Sequence, residues 1–294
     1  MNDNIFGHGT ILAEDGTSFS AGGDDDNAPS GPQNGPIAGL VAGLNKMRWF
    51  DYRTEKWTYM DNRMMATRWY PTIVRLVNGS YVIIGGLTSG TSFLAQRSLE
   101  FYNPNLPESD NVLLFSEVLD FTGTAGYPKA YVIPGSGDIY IFAYNTFSVV
   151  SKTTGEMMER ETWSSPDNGV TWLPYVVEGR RSGDWVAGNC LLPLHASRGY
   201  VAEMALFGGG NTDVANLTAR NDVARMIISA PAPKRWTIDT DRMPYGREVS
   251  DCTLQPNGKM LLTNGARMGF TGGLVGVPNL IASANGMTRA AFIN

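Results

Sequence analysis

The sequence is poor in the residues that usually hold metals. Its 294 residues include only two histidines, His8 and His195, and two cysteines, Cys190 and Cys252. The cysteines lie 62 residues apart and have no CxxC spacing, which matches neither a zinc motif nor a disulfide framework. Two buried free thiols are expected instead. Charge is sparse as well, with 17% charged residues and a net charge of −5. Lys and Arg never gather into the basic clusters that phosphate binding needs, which argues against a nucleic-acid partner. No run of about 20 apolar residues occurs, so no membrane span is expected. The opening "MNDNIFGHG" lacks the basic start and apolar run of a secretory signal. The sequons at Asn78-Gly79-Ser80 and Asn216-Leu217-Thr218 would matter only for a secreted chain.

What the chain has in quantity is turn formers and short apolar runs: 34 glycines, 16 prolines and 43% hydrophobic residues. That pattern predicts many short strands joined by tight turns. One phrase recurs, an apolar strand, a turn with glycine, a second apolar strand and a closing Gly-Gly or its equivalent. It reads "GTILAEDGTSFSAGG" from Gly9, "PTIVRLVNGSYVIIGG" from Pro71 and "KAYVIPGSGDIYIFA" from Lys129. It returns as "GYVAEMALFGGG" from Gly199 and "CTLQPNGKMLLTNGA" from Cys252. The steps of roughly 55 to 70 residues suit kelch-like propeller blades, nominally about 50 residues, with loop insertions.

Between these hairpins lie outer strands ending in aromatics, such as "MRWFDYRTEKWTYM" (Met47 to Met60) and "ARMIISAPAPKRWTID" (Ala224 to Asp239). Each blade is therefore expected to be an inner plus an outer hairpin, with Trp49, Trp57, Trp172 and Trp236 packing between blades. "SSPDNGVTW" (Ser164 to Trp172) matches an Asp box, a fold-stabilising hairpin turn remote from chemistry. The fold expectation is all-β, a single kelch-type β-propeller domain over residues 1–294, with about five to six blades and incomplete at its C-terminus. Open blade edges are a liability, so the terminal strands should be paired or covered, for example by another protein chain.

"RWYPTIVRLVNGSYVIIGG" (Arg68 to Gly86) resembles the segment of glyoxal oxidases and related galactose-oxidase-like copper radical oxidases in which an arginine-aromatic-tyrosine motif opens a blade. The likeness continues in family order through "LEFYNP", "YVIPGSGDIYIFA", "NCLLPL", "ALFGGGN" and "MPYGREVSDCTLQPNGKMLLTNGARMGFTGG". The resemblance implies a seven-bladed fold and a copper ion held by two tyrosines and two histidines. Such ligands suit copper(II). One family tyrosine is cross-linked to a cysteine and carries the radical, and Tyr70 stands at its position, as catalytic and metal-binding residue. The implied reaction oxidises an aldehyde or primary alcohol and reduces oxygen to hydrogen peroxide.

The rest of that centre is missing. Where the family carries the cross-linking cysteine, this chain reads Asn4-Ile5-Phe6-Gly7-His8-Gly9, so the thioether cannot form. The Tyr-His-Ser motif expected after "LLTNGA" is not reached, and neither His8 nor His195 stands at a ligand position. Both histidines are expected to be satisfied or solvent-facing.

Other constellations carry less. Asp24-Asp25-Asp26 begins a polar loop through about Gly43 and lacks the spacing of a calcium loop, so a solvated loop is expected. Asp167 and Asp251 could form a glycosidase pair only at a suitable separation. Arg68, Arg180, Arg181 and Arg247 lack the contexts of a sialidase cluster. The chain reads as a glyoxal-oxidase-like propeller without most of the copper-radical site, a non-catalytic extracellular scaffold or glycan-binding protein with no resident cofactor. Trp69, Trp163 and Trp185 are its candidate sugar-stacking rings. The alternative is the N-terminal part of an active copper radical oxidase, with copper supplied by further blades.

Overall fold

The computed structural model describes residues 2–25, 40–92, 94–107, 110, 113–115, 126–143, 146–162, 187–209, 219–268, 284–286 and 291–293. It is built of antiparallel sheets, with a short 3-10 turn at Ala196–Arg198. Four sheets are simple four-stranded meanders. The first contains β1 (Gly9–Leu12), β2 (Ser18–Ala21), β3 (Lys46–Asp51) and β4 (Lys56–Arg63). The second contains β5 (Thr72–Arg75), β6 (Tyr81–Ile84), β7 (Ser98–Tyr102) and β8 (Leu113–Phe115). The third contains β9 (Lys129–Val132), β10 (Ile139–Ala143), β11 (Thr146–Val150) and β12 (Met157–Thr162). The fourth contains β13 (Gly188–Leu191), β14 (Glu203–Phe207), β15 (Val223–Ile227) and β16 (Trp236–Ile238).

In the fifth, β17 (Asp251–Leu254) pairs with β18 (Met260–Thr263), while β19 (Ala266–Met268) and β20 (Ala284–Gly286) form a separate pair. The last strand, β21 (Ala291–Ile293), returns to the free side of β18. The chain divides into two compact units. One takes in residues 1–132, 137–143 and 148–160, and the other takes in 133–136, 144–147 and 161–294.

Three of the inner hairpins close by one device. Asp15-Gly16, Asn78-Gly79 and Asn257-Gly258 put a glycine at φ 85°, 83° and 80°, where a side chain would be strained. The residue before each glycine accepts the N–H two positions on: Thr17 to Asp15 at 3.0 Å, Ser80 to Asn78 at 3.1 Å and Lys259 to Asn257 at 3.1 Å.

Strand β6 explains why the apolar runs are continuous. All four of its residues are buried, but they feed two cores. Tyr81 and Ile83 join Phe19, Ala21 and Met47 between the first and second sheets. Val82 and Ile84 join Ile139, Ile141 and Val150 between the second and third. A strand sandwiched on both faces needs apolar side chains at both parities. Trp49 helps join the first two sheets, 5.1 Å from Phe19 and 5.8 Å from Tyr81 between ring centroids.

Three expectations are corrected. Trp57 does not pack between sheets: it lies on the edge strand β4, 37% exposed, with its ring against Phe50. Asp24 is not solvated but buried, accepting the N–H groups of Asp25 and Gly90 at 2.8 Å each, and burial raises its pKa. Cys190 and Cys252 are not free thiols but a disulfide, with Cα atoms 5.8 Å apart. The physical reason is the repeat itself. The two cysteines sit in the first strands of consecutive sheets, β13 and β17, and their separation of 62 residues is one sheet step. Face-to-face packing of the two sheets around Phe207, Met243 and Leu262 then brings them together. Trp236 is buried as expected. Trp172 and the Asp box at 164–172 lie outside the described residues, as do Asp26, Trp163, Asp167, Arg180, Arg181 and Trp185.

Candidate site at the strand-entry tyrosines

The first three sheets are entered alike. Two residues before β1, β5 and β9 stand Gly7, Tyr70 and Tyr127, each in the left-handed region at φ 72°, 61° and 48°. The Tyr70 N–H donates to the Gly7 carbonyl at 2.7 Å, and the Tyr127 N–H to the Tyr70 carbonyl at 2.8 Å. These bonds join the three entries in one row. A tyrosine held left-handed costs roughly 1–3 kcal/mol, which the surrounding structure must over-determine.

The supports around Tyr70 are visible. Trp69 exchanges both backbone hydrogen bonds with Leu87, fixing the segment to the far end of β6. Arg68, fully buried, donates to the carbonyls of Gly85 at 2.8 Å and Ser98 at 3.0 Å, and to the Ser98 hydroxyl at 2.8 Å. Glu100 lies 3.8 Å from its guanidinium. Burial brings the Arg68 pKa down to about 10 and raises that of Glu100.

The Tyr70 ring is buried among aromatics. It stacks on Trp69 at 3.9 Å and on Tyr127 at 4.5 Å between centroids, with Phe6 edge-on at 5.9 Å. Its edges meet glycines. A Cβ at Gly7 would overlap the Tyr70 Cδ1 and Cε1 atoms, and one at Gly126 would lie 3.5 Å from Tyr70 Cδ2. Burial pushes the Tyr127 phenol pKa up. Trp69, expected as a sugar-stacking ring, is therefore buried within this pile.

The second unit repeats the entry with other side chains. Arg247 is buried and donates to the Asn264 carbonyl at 2.7 Å. Glu248 exchanges backbone bonds with Ala266 as Trp69 does with Leu87, and Val249 stands at φ 45° two residues before β17. The arginine carbonyl accepts a glycine N–H in both cases, from Gly23 to Arg68 at 3.1 Å and from Gly209 to Arg247 at 2.8 Å. Sequence reading missed Tyr127, Glu248 and Val249. The signal was the pair of positions two and three residues before an inner strand, here those of β5, β9 and β17.

The remaining candidates each have their own surroundings. His8 donates from Nδ1 to the Ile5 carbonyl at 2.6 Å, which commits the ring to its own turn, and burial lowers its pKa. His195 is exposed just before the 3-10 turn. Asp251 is exposed and accepts from Asn264 at 3.1 Å. Among the described residues, no group of three or more His, Cys, Asp or Glu side chains is placed to hold a metal ion. The residues around Tyr70 do not fit a cross-linked copper-radical group, because the two cysteines of the chain are bonded to each other and one edge of the Tyr70 ring abuts the Gly7 backbone.

Comparison with known proteins agrees with the fold. The chain resembles aldehyde oxidase GLOX1 of Arabidopsis thaliana at 27% identity over 237 residues, 74% of this chain and 34% of that protein. It resembles aldehyde oxidase GLOX of Vitis pseudoreticulata at 26% identity over 216 residues, 72% of this chain and 37% of the relative. It thus spans about a third of the length of these relatives. A fungal alcohol oxidase of the AA5 family, solved in complex with copper, shares the fold with a TM-score of 0.65 and 14% identity, covering 100% of this chain and 53% of that one. The family model described as glyoxal oxidase N-terminus matches residues 33–281. The chain belongs to that glyoxal oxidase family.

Proposed function

We propose that this chain is a kelch-type propeller module of the glyoxal oxidase family that does not build the copper-radical centre and works outside the cell as a scaffold or glycan-binding surface. The observation that carries this reading is Gly7 against the Tyr70 ring, where the family's cysteine would have to be. The four-stranded meanders support the blade reading. The Cys190–Cys252 disulfide supports an oxidising, extracellular compartment. With Trp69 buried, the exposed rings among the described residues include Tyr52, Trp57 and Tyr59 in the segment of the first sheet, which sugars or a partner chain could reach.

A second reading keeps copper chemistry. The relatives are named aldehyde oxidases, and further blades could bring ligands to Tyr70. Copper titration of this chain and of the polypeptide from its natural source separates the two. The scaffold reading expects no copper bound through Tyr70 and no peroxide from aldehydes or primary alcohols. Copper near one per chain, lost in Tyr70→Phe, would overturn it.

A further inference from the structure

We propose that Tyr70 and Tyr127 form an oxidative cross-linking site, at which the two phenol rings of neighbouring strand entries are joined carbon to carbon. Three independent features bring the rings together. Their backbones are adjacent in the entry row through the Tyr127 N–H to Tyr70 carbonyl bond of 2.8 Å. Both are left-handed, which sends both side chains from equivalent points of two consecutive sheets. The rings are stacked at 4.5 Å with their planes 23° apart.

The surroundings favour this pair over others. Gly126 lies beside the Tyr70 ring and places no side chain between the phenols. Trp69, stacked at 3.9 Å, gives an electron a short route out of a ring that is only 8% exposed. Tyr81 and Tyr102 face each other directly across β6 and β7, yet each ring packs on Phe19, at 4.7 and 5.5 Å. Phe19 competes for both of those rings.

The chemistry balances with an external oxidant, a peroxide or a persulfate. Each phenol gives up one electron and one proton. The two rings then join through carbons ortho to oxygen, and the hydrogens on those carbons move to the oxygens to restore both hydroxyls. The net change is one carbon–carbon bond and the loss of two hydrogens. The oxidant takes the two electrons, and the two protons pass to solvent. The product would tie the entry of the second sheet to that of the third. This proposal is independent of whether copper binds.

The folded chain, treated with limiting persulfate and a photoexcited ruthenium complex, tests it by peptide mapping. The expected product is one intramolecular linkage between the peptides carrying Tyr70 and Tyr127, two hydrogens lighter than their sum, with dityrosine fluorescence and a raised melting temperature. Tyr127→Phe keeps the stack but loses the ortho coupling, so the linkage and fluorescence should vanish, while Tyr52→Phe leaves them unchanged. A linkage confined to exposed tyrosines such as Tyr52 and Tyr200, one between Tyr81 and Tyr102 instead, or none, would overturn the proposal in the wild-type chain itself.

Discussion

The Gly7 carbonyl accepts the Tyr70 N–H at 2.7 Å while the Gly7 backbone lies against the edge of the Tyr70 ring. One glycine thus fixes both the main chain and the side chain of the tyrosine. Its φ of 72° already disfavours a side chain, and any Cβ would overlap the ring. Gly7→Ala should therefore destabilise the fold by about 2–4 kcal/mol, combining backbone strain with overpacking. Urea unfolding measures it. A change under about 0.5 kcal/mol, the size of an ordinary surface substitution, would mean the ring moves aside freely.

Two buried charges give the chain an unusual pH response. Burial pushes Glu248 up to about 7 and brings Lys129 down to about 7. Between the unfolded carboxyl value near 4.5 and pH 7, the folded state holds a proton on Glu248 that the unfolded chain has lost, so stability falls as pH rises. Between pH 7 and the unfolded lysine value of 10.5, the unfolded chain holds a proton that folded Lys129 lacks, so stability rises with pH. Together they produce a minimum near neutrality. Thermal melts should show Glu248→Gln flattening the acid limb and Lys129→Met the alkaline limb, each on the order of 1–3 kcal/mol. Unchanged limbs in both variants would contradict this account.

The disulfide closes a long loop, and loop length sets its effect on the unfolded chain. Reduction, or Cys252→Ser, should cost about 2–4 kcal/mol. Thermal melts with and without reductant give the difference, and a thiol count in denaturant should find none before reduction. Free thiols in the freshly isolated protein would count against the bond.

The strands and turns were legible because they are local. Asp-Gly and Asn-Gly announce the turns, and "YVII" announces a strand buried on both faces. The disulfide was not, because its partners are related by the step between sheets and not by any spacing within a motif. Trp57 reads like Trp49 in sequence, and only its place on the edge strand β4 leaves it exposed. Tyr70 could be singled out from its arginine-aromatic context, whereas Tyr127 shares with it only a following proline, Pro128 for Pro71, and a place two residues before an inner strand. What pairs them is a hydrogen bond between two sheet entries, which no local motif announces. Lys129 likewise reads as an ordinary polar strand residue, and its burial follows from its position at the start of an inner strand.

The meander order has a consequence in time. Each of the first four sheets is made of strands consecutive along the chain, so each can close soon after its own residues leave the ribosome, before the next is synthesised. Cys190 is different. It enters its sheet as a thiol and must wait for 62 further residues before Cys252 exists to receive it. During that interval the fourth sheet carries a thiol whose partner has yet to be made.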